Sequence, residues 1–355
     1  MLETDSEANH AFHSTKGHDL KIGRRGFLIG SSSFAASALL ADAAKAATFE
    51  VGVGAHLWSA SRSEIDKVVK AVRDNGFKLV RWDAPWKGVE LTKGRLEIPP
   101  AWDYAVEAIR SVGAENILIL DYGNKYYVGG DKPTTATARS AFVIYAEAVA
   151  KHFKGRVARY EVWNEWDTKN GETSYQPIEH YVSLVKACYP ALKAVDPSVQ
   201  VMAGNFSSIT YERSFLNPFA TNYFRDFLAS DVGRYMDGFS IHPYVRGLPV
   251  EKIPSAMDAF FGRIEGAIHG SPGFEGKPIL VTEIGWKAGV QGQQAVSEDQ
   301  QANLLAEAIK LSKKYRFHGL CIYEIKDGGE DFGYGIYDKD WTPKAAAGRV
   351  FGKLN

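Results

Sequence analysis

Cysteine is scarce in this sequence, because its 355 residues contain only Cys188 and Cys321. Two widely separated cysteines argue against a disulfide framework and against a structural zinc site. Cys188 ends the series Tyr181, Leu184, Val185, Cys188, whose spacing is typical of the buried face of a helix. Cys321 lies in an apolar run that indicates a strand. Both cysteines are therefore predicted to be buried thiols that pack as small hydrophobic side chains.

An excess of either charge is also absent, since Lys and Arg together number 42 and Asp and Glu together number 42. A chain without surplus positive charge gives no electrostatic reason to bind nucleic acid or an anionic membrane surface. Hydrophobic residues make up 45% of the chain and aromatic residues 12%, which excludes a disordered or fibrous protein.

The apolar run near the N-terminus is too short to cross a bilayer, but its surroundings are those of an export signal. The pair Arg24-Arg25 precedes a mildly apolar run that ends at Leu40, and small residues suited to cleavage continue to Ala46. This order resembles a twin-arginine export signal. We expect residues 1–46 to engage the twin-arginine export machinery, and the mature protein to be periplasmic or secreted without membrane insertion. The alternative is a polar tail with a chance arginine pair.

Beyond residue 46, short apolar runs alternate with amphipathic stretches. Positions 65, 68, 69 and 72 share one helical face, and Gly76 and Gly113 are expected to end helices. Continuous apolar strands that alternate with helices predict a parallel sheet covered by helices. Eight units fit a (β/α)8 TIM barrel, whereas the glycine fingerprint of an open dinucleotide-binding sheet is absent. We predict an α/β fold in which residues 47–355 form one barrel domain. Its strands are expected at 50–56, 78–82, 116–120, 157–163, 199–203, 238–242, 278–283 and 319–324.

Polar and aromatic residues concentrate where these strands end. Active sites of (β/α)8 barrels lie at the carboxyl ends of the strands, so these residues are candidates for a functional site. The candidates are His56, Trp58, Arg81, Trp82, Asp121, Tyr122, Trp163, Asn164, Glu165, Trp166, His242, Tyr244, Glu283, Trp286, Tyr323 and Glu324.

Six of the eight tryptophans fall at or just past these strand ends. A flat aromatic face stacks on the C–H surface of a sugar ring, so this rim is typical of a sugar-binding cleft. The alternative is that the tryptophans cap the barrel core. The six are Trp58, Trp82, Trp86, Trp163, Trp166 and Trp286.

Glu165 and Glu283 follow or end the fourth and seventh predicted strands, on opposite arcs of the barrel. Retaining cleavage of a glycosidic bond needs two carboxyl groups about 5–5.5 Å apart, one protonated and one ionised. These two glutamates can supply such a pair. Taken alone, either one would more often be a surface residue.

The segments around both glutamates resemble those of a known group of enzymes. Residues 161–165, Glu-Val-Trp-Asn-Glu, look like the fourth-strand signature of the clan A glycoside hydrolases, and residues 281–286 look like its nucleophile segment. Arg81 matches the clan's second-strand arginine, and His242 with Tyr244 matches its sixth-strand pair. Residues 332–338 are similar to the segment before the last helix. Among families, the chain most resembles family 39 and its relatives associated with bacterial exopolysaccharides.

The resemblance implies that Glu165 is the acid/base and Glu283 the nucleophile. It further implies that Asn164 binds the sugar 2-hydroxyl and that Arg81 and Tyr244 keep Glu283 ionised. Trp166 and Tyr323 differ from the clan's usual proline and tryptophan, so the walls of the site are expected to differ.

Four further candidates have less specific expected roles. His56 and His242 are expected to shape the pocket or bind hydroxyls, with a packing role as the alternative. Asp121 and Glu324 are expected either to bind substrate or to form ion pairs with nearby lysines. These are Lys125, four positions after Asp121, and Lys326, two positions after Glu324.

These observations predict a retaining glycosidase that acts on a β-linked oligo- or polysaccharide without cofactor or metal. One alternative is a barrel that binds sugar without cleaving it. A metal-dependent barrel hydrolase commonly has a His-x-His pair on its first strand, where this chain has only His56. A transglycosidase would use the same carboxylates.

Overall fold

Eight parallel strands close into a barrel in the computed structural model, which describes residues 49–169, 175–216, 222–289, 295–328 and 332–351. Neighbouring strands pair in chain order, and the last strand pairs with the first. The predicted (β/α)8 barrel is confirmed, with small differences at the strand ends. The strands are β1 (Glu50–Gly54), β2 (Leu79–Asp83), β3 (Glu115–Leu120), β4 (Arg159–Val162), β5 (Gln200–Ala203), β6 (Gly238–Ile241), β7 (Ile279–Ile284) and β8 (Gly319–Ile322).

Amphipathic helices cover the outside of the barrel. The first one, α1, begins after Ser61, whose side chain accepts a hydrogen bond from the backbone N–H of Glu64 at 3.2 Å. It ends at Gly76, which has the left-handed conformation (φ 72°) that glycine adopts without strain. The helices are α1 (Arg62–Asn75), α2 (Trp86–Val89), α3 (Pro100–Ser111), α4 (Lys125–Val128), α5 (Ala136–His152), α6 (Ile178–Val195), α7 (Ser208–Leu216), α8 (Tyr223–Leu228), α9 (Ile253–His269) and α10 (Glu298–Lys314).

Shorter helical turns complete the outer layer at Asp231–Tyr235, Val250–Lys252 and Ala347–Phe351. Within the ranges that the structure describes, no helix is long and apolar enough to cross a membrane. The chain divides into Met1–Ala46 and Ala47–Asn355. The first unit, which carries the predicted export signal, lies outside the described residues.

The inside of the barrel is filled by side chains from five of the strands. Gly52 of β1 makes room for them, because a Cβ there would lie 2.4 Å from the Cβ of Leu79 and 2.8 Å from the Sγ of Cys321. The interior cluster consists of Leu79, Ile117, Met202, Leu280 and Cys321.

Both cysteines are free and buried, as the sequence predicts. Cys188 lies on the inner face of α6, and Cys321 lies inside the barrel. Burial raises the pKa of the Cys321 thiol to about 12 and also raises the pKa of Cys188. Both groups are therefore protonated and pack as hydrophobic side chains.

A buried ion pair shapes the segment that follows β8. The Asp327 carboxylate lies 2.7 Å from the Nζ of Lys344. It also accepts hydrogen bonds from the backbone N–H groups of Gly333 and Gly335, at 3.0 and 2.7 Å. These contacts fix Tyr334, which lies between the two glycines, against the open end of the barrel.

Candidate active site

A cleft of about 1040 Å³ opens at the carboxyl ends of the strands. Its volume lies at the upper end of the range for small-molecule sites, roughly 300–1000 Å³, and is suited to an extended ligand. Ten of the residues predicted from the sequence line it. They are His56, Trp58, Arg81, Trp82, Tyr122, Asn164, Glu165, Tyr244, Glu283 and Tyr323.

The turn after β4 has an unusual backbone. Trp163 (φ 68°) and Glu165 (φ 46°) both adopt the left-handed conformation, which is costly for residues with side chains. Asn205, which is buried after β5, holds this turn from both sides. Its Nδ2 donates to the backbone oxygen of Trp163 at 2.6 Å, and its own backbone oxygen accepts from the N–H of Glu165 at 3.1 Å. The fixed turn presents Asn164 and Glu165 to the cleft.

Glu283, on β7, is held by two donors. Nη1 of Arg81 donates to one carboxylate oxygen at 2.7 Å, and the Tyr244 hydroxyl donates to the other at 2.9 Å. Burial alone would raise the pKa of Glu283. Electrostatic attraction from His242 and Arg81, together with the two hydrogen bonds, outweighs burial and lowers this pKa below its usual range. The surroundings of Glu283 therefore favour the ionised form.

Arg81 connects several strands through one buried guanidinium. Its Nε donates to Glu161 at 2.7 Å, and its Nη2 donates to the Oδ1 of Asn164 at 3.0 Å. The Ser240 hydroxyl donates to the other oxygen of Glu161 at 2.6 Å. Burial opposes the charge of Arg81, but Glu161 and Glu283 outweigh it and raise the pKa of the guanidinium. The orientation of Glu283 is thus fixed through residues on β2, β4 and β6.

His242 lies beneath both candidate glutamates and is fully buried. Its Nε2 is 3.4 Å from Nη2 of Arg81, which can only donate, so Nε2 accepts and Nδ1 carries the proton. Nδ1 lies 3.0 Å from Oε1 of Glu165 and 3.6 Å from Oε2 of Glu283. The His242 N–H therefore donates to Glu165 and also faces Glu283.

The two glutamates are close together in space. A carboxylate oxygen of Glu165 and one of Glu283 lie within 4.8 Å of each other. Retaining glycosidases have carboxyl groups about 5–5.5 Å apart, whereas inverting enzymes leave about 6.5–9.5 Å for a water molecule. The spacing is that of the retaining geometry.

Glu165, His242 and Glu283 also have the composition of a metal site, since their ligand atoms lie within 4.8 Å of one another. The hydrogen bonds argue against this use. Nδ1 of His242 carries a proton and is not available as a ligand. Both oxygens of Glu283 accept hydrogen bonds, one of them from the Arg81 cation at 2.7 Å. These residues fit a carboxylate pair better than a cation site.

The predicted stacking role needs correction for four tryptophans. Trp86, Trp163, Trp166 and Trp286 are buried in the hydrophobic core and do not line the cleft. Trp166 stacks on Tyr181 with ring centroids 5.4 Å apart, and the Nε1 of Trp286 donates to the backbone oxygen of Val245 at 2.9 Å. These indoles lie at the rim in sequence but turn toward the helices, so they cap the core.

The aromatic surface of the cleft is formed instead mainly by a tryptophan and four tyrosines. Trp58 is 38% exposed, and Tyr122, Tyr244, Tyr323 and Tyr334 also line the cleft. Trp82 reaches the cleft but is almost completely buried, with its Nε1 donating to Asn116 at 2.9 Å. Trp58 is therefore the tryptophan best placed to stack on a ligand.

Asp121 has a different environment from the one expected. It is completely buried behind the cleft lining. Its carboxyl oxygens form no hydrogen bond with a donor among the described residues, so the expected ion pair with Lys125 is not formed. Burial, and next the neighbouring Asp83 carboxylate, raise the pKa of Asp121 well above its usual range.

Glu324 is also buried and pairs with a different partner. The Nε2 of His56 lies 2.9 Å from its Oε2. Lys326, the expected partner of Glu324, instead contacts Glu64 at 2.6 Å. His56 is exposed and lines the cleft, so the buried Glu324 contributes to the cleft by orienting the His56 ring.

Several cleft residues were not among the sequence candidates. Asp83 follows directly on the Arg81-Trp82 pair, so its position at the end of β2 was a usable signal. Four others lie three to five residues beyond a strand end or in the loop after β8, where no motif marks them. They are Lys87, Arg246, Lys287 and Tyr334.

The closed barrel, the Asn164-Glu165 turn after β4 and Glu283 on β7 define a glycoside hydrolase of clan A. A family model described as Cellulase (glycosyl hydrolase family 5) matches residues 41–316. The chain belongs to this family. The resemblance to clan A is thereby confirmed. The matching family model is that of family 5, and family 39 is represented among the structural relatives described next. Comparison with curated proteins gives no sequence match.

Solved structures of other glycosidases share the fold. A family 39 glycoside hydrolase from Bacteroides cellulosilyticus WH2 has a TM-score of 0.66 at 22% identity, over 85% of this chain and 62% of its own. A β-xylosidase from Caulobacter crescentus CB15 has a TM-score of 0.64 at 16% identity, over 84% of this chain and 66% of its own. An endo-β-1,4-mannanase from Thermotoga petrophila has a TM-score of 0.63 at 16% identity, over 87% and 77%. The chain spans less than two thirds of the first two proteins, and such low identities show the fold alone.

Proposed function

We propose that the protein is a retaining O-glycoside hydrolase that cleaves β-linked oligo- or polysaccharides by double displacement. Glu165 is assigned as the acid/base and Glu283 as the nucleophile. The observation that carries this proposal is the approach of the two carboxylates to within 4.8 Å in different surroundings. Arg81 and Tyr244 both donate to Glu283, which favours its ionised form, whereas the contact recorded for the Glu165 carboxylate is with Nδ1 of His242 at 3.0 Å.

In the first step, an oxygen of Glu283 attacks the anomeric carbon while the bond from that carbon to the leaving oxygen breaks. Glu165 transfers its proton to the leaving oxygen. In the second step, Glu165 takes a proton from water, the water oxygen attacks the anomeric carbon, and the ester bond to Glu283 breaks. Two inversions leave the anomeric configuration unchanged.

Asn164 is assigned to the 2-hydroxyl of the reacting sugar. Its Oδ1 accepts from Arg81 at 3.0 Å, so the amide orientation is fixed with Nδ2 as the donor. A hydrogen bond from this amide to the sugar strengthens as positive charge develops on the ring in the transition state.

Azide tests the two roles separately. Glu165→Ala should form the glycosyl-enzyme from dinitrophenyl β-glycosides, whose leaving group needs no proton, and then stall. Added azide needs no general base and should release the β-glycosyl azide. Glu283→Gly cannot form the intermediate, but azide can occupy the vacated space and give the α-glycosyl azide by a single inversion. Proton NMR distinguishes the two anomers.

Glu107→Ala, on the exposed face of α3, is the matched control and should behave like the unaltered protein. Undiminished activity in Glu165→Ala or Glu283→Gly, or the same azide anomer from both, would refute the assignment. An unaltered protein that binds glycans but cleaves none of them would favour the sugar-binding alternative. Transfer of the sugar to added alcohols in preference to water would favour a transglycosidase.

We also propose that residues 1–46 direct export through the twin-arginine pathway, so that the enzyme acts in the periplasm or outside the cell. The support is the Arg24-Arg25 pair before the apolar run. Replacing both arginines with lysine should leave uncleaved precursor in the cytoplasm, measured by fractionation and immunoblotting. Replacing Lys16 and Lys21 with arginine is the control. Normal periplasmic accumulation of the Arg24→Lys/Arg25→Lys variant would contradict the proposal.

A further inference from the structure

Basic side chains surround the cleft on two sides. Lys87 follows β2 and Lys125 follows β3, whereas Arg246 follows β6 and Lys287 follows β7. Because the chain has equal numbers of acidic and basic residues, this concentration is a local feature of the cleft. The whole-chain charge gives no indication of it.

Acidic residues do not balance these cations within the part of the chain that the structure describes. No carboxylate there lies within ion-pair distance of Lys87, Lys125, Arg246 or Lys287. Glu90 also lines the cleft, but its carboxylate already accepts hydrogen bonds from the indole of Trp86, the backbone of Gly94 and the hydroxyl of Tyr127, at 2.7, 2.6 and 2.7 Å.

The other acidic groups near the cations are also engaged or distant. Asp83 lies between the buried Asp121 and His56, with 4.0 Å to the imidazole. Burial raises the pKa of Glu212, on α7, and Arg246 opposes that rise electrostatically, but the two side chains form no ion pair in the described part of the chain. The cleft lining thus carries five cationic side chains against four carboxylates, and only Arg81 among the five cations forms an ion pair within the described residues.

The cations lie beside the aromatic rings that a sugar would contact. The Nζ of Lys87 is 5.4 Å from the ring centre of Trp58 and 5.8 Å from that of Tyr122. The Arg246 guanidinium is 3.9 Å from the ring centre of Tyr244, whose hydroxyl donates to Glu283. Arg246 is thus one side chain away from the proposed nucleophile, within reach of substituents on the reacting sugar or its neighbour.

We infer that the substrate is an anionic glycan whose β-linked units carry carboxylate groups, as uronic acids do, and that Arg246, Lys287 and Lys87 bind these carboxylates. The inference rests on the proposed glycosidase function and specifies its substrate class. The Arg246 guanidinium over the Tyr244 ring has paired N–H donors that match the two oxygens of a carboxylate. A neutral glycan would leave Arg246, Lys287 and Lys87 without an anionic partner.

Binding can be measured apart from cleavage with the full chain carrying Glu165→Gln. The probes are two pairs of hexasaccharides, glucuronan with cellohexaose and mannuronan with mannohexaose, all β-1,4-linked. Within each pair only the carbon-6 group differs, a carboxylate against a hydroxymethyl. Calorimetry should show at least about tenfold tighter binding of the acidic member in one pair, with the difference shrinking as salt rises from low to high concentration. Equal or tighter binding of the neutral member in both pairs would overturn the inference.

Side-chain replacements test the named cations. In the Glu165→Gln background, Arg246→Gln and Lys287→Gln should each weaken binding of the acidic hexasaccharide about threefold to tenfold more than binding of its neutral partner. Lys151→Gln, exposed on α5 away from the cleft, should change neither. Equal losses for the acidic and neutral members would contradict a charge-specific role. Cellohexaose sulfated at carbon 6 should bind less tightly than glucuronan, and tighter binding of the sulfated sugar would overturn the carboxylate assignment.

Hydrolysis of the same four sugars by the unaltered protein separates this inference from the proposed function. Cleavage of neutral members alone would leave the glycosidase proposal intact and refute the acidic substrate. Tight charge-dependent binding without cleavage of any glycan would support the anionic ligand class and contradict the enzymatic proposal.

Discussion

Replacing Tyr244 with phenylalanine removes one of the two hydrogen bonds that hold Glu283. The hydroxyl lies 2.9 Å from Oε2 of Glu283, while Arg81 continues to donate to the other oxygen. Burial, and next the Glu283 charge, raise the pKa of Tyr244, so the phenol stays protonated and acts as a donor. The ring itself can remain in place, and the perturbation is confined to this donor.

The size of the effect follows from the charge on the acceptor. A hydrogen bond to a charged group contributes about 1.5–3 kcal/mol, and the loss of a donor leaves the carboxylate partly unsolvated. Losing this donor makes the ionised form of Glu283 less favourable by about that amount, so the pKa of Glu283 should rise. The nucleophile must be ionised, so activity is lost as pH falls through this pKa. The variant should therefore lose activity at higher pH than the unaltered protein.

The assay is the pH dependence of kcat/KM on an aryl glycoside, in which the acidic limb reports the ionisation of the free enzyme. Tyr160→Phe is a matched control, because Tyr160 is equally buried and its hydroxyl has no hydrogen-bond partner in the described residues. An acidic limb that stays in place in Tyr244→Phe, while the control also stays unchanged, would refute the role of Tyr244 in keeping Glu283 ionised.

Three further predictions concern stacking, the turn after β4 and the segment after β8. Trp58→Ala should weaken glycan binding up to about tenfold with little change in stability, whereas Trp286→Ala should cost about 3–5 kcal/mol of unfolding free energy. If both variants changed binding and denaturation equally, the assignment of Trp58 to the cleft and Trp286 to the core would be contradicted. Asn205→Ala leaves a buried backbone oxygen without its donor, so it should cost about 1–3 kcal/mol and lower kcat more than KM changes; unchanged kcat would show that the turn does not need it. Lys344→Met leaves Asp327 buried without its cation, and urea denaturation should show a loss of about 3–5 kcal/mol; an unchanged midpoint would argue against a stabilising pair.

The barrel could be predicted because its signal is repeated along the chain. Most strands contain a short apolar run and most of the longer helices have an apolar stripe, so no single ambiguous segment decides the fold. The fold then gathers strand ends that are distant in sequence. Glu165 and Glu283 therefore come together as expected. The sequence itself does not give the distance between their carboxylates.

Side-chain direction could not be predicted in the same way. Trp163 and Trp166 lie beside Asn164 and Glu165 in sequence, yet the indoles enter the core while the polar groups enter the cleft. The left-handed conformations of Trp163 and Glu165 break the alternation of side chains along the strand. They are held by hydrogen bonds with Asn205, which follows a different strand, β5. The charge of the cleft is hidden for a similar reason, because it arises from loops that are adjacent only in space.

The different roles of the two glutamates also originate outside their own segments. Within the proposed double displacement, Glu283 is ionised at the start and becomes a neutral ester, while Glu165 becomes ionised when it releases its proton. The N–H of His242 lies 3.0 Å from Glu165 and 3.6 Å from Glu283, so it faces both ends of this charge transfer. Arg81 fixes that N–H by donating to the opposite ring nitrogen. The buried histidine can therefore stabilise whichever glutamate carries the charge, which gives it a role in the proposed reaction although it lies beneath the cleft and does not line it.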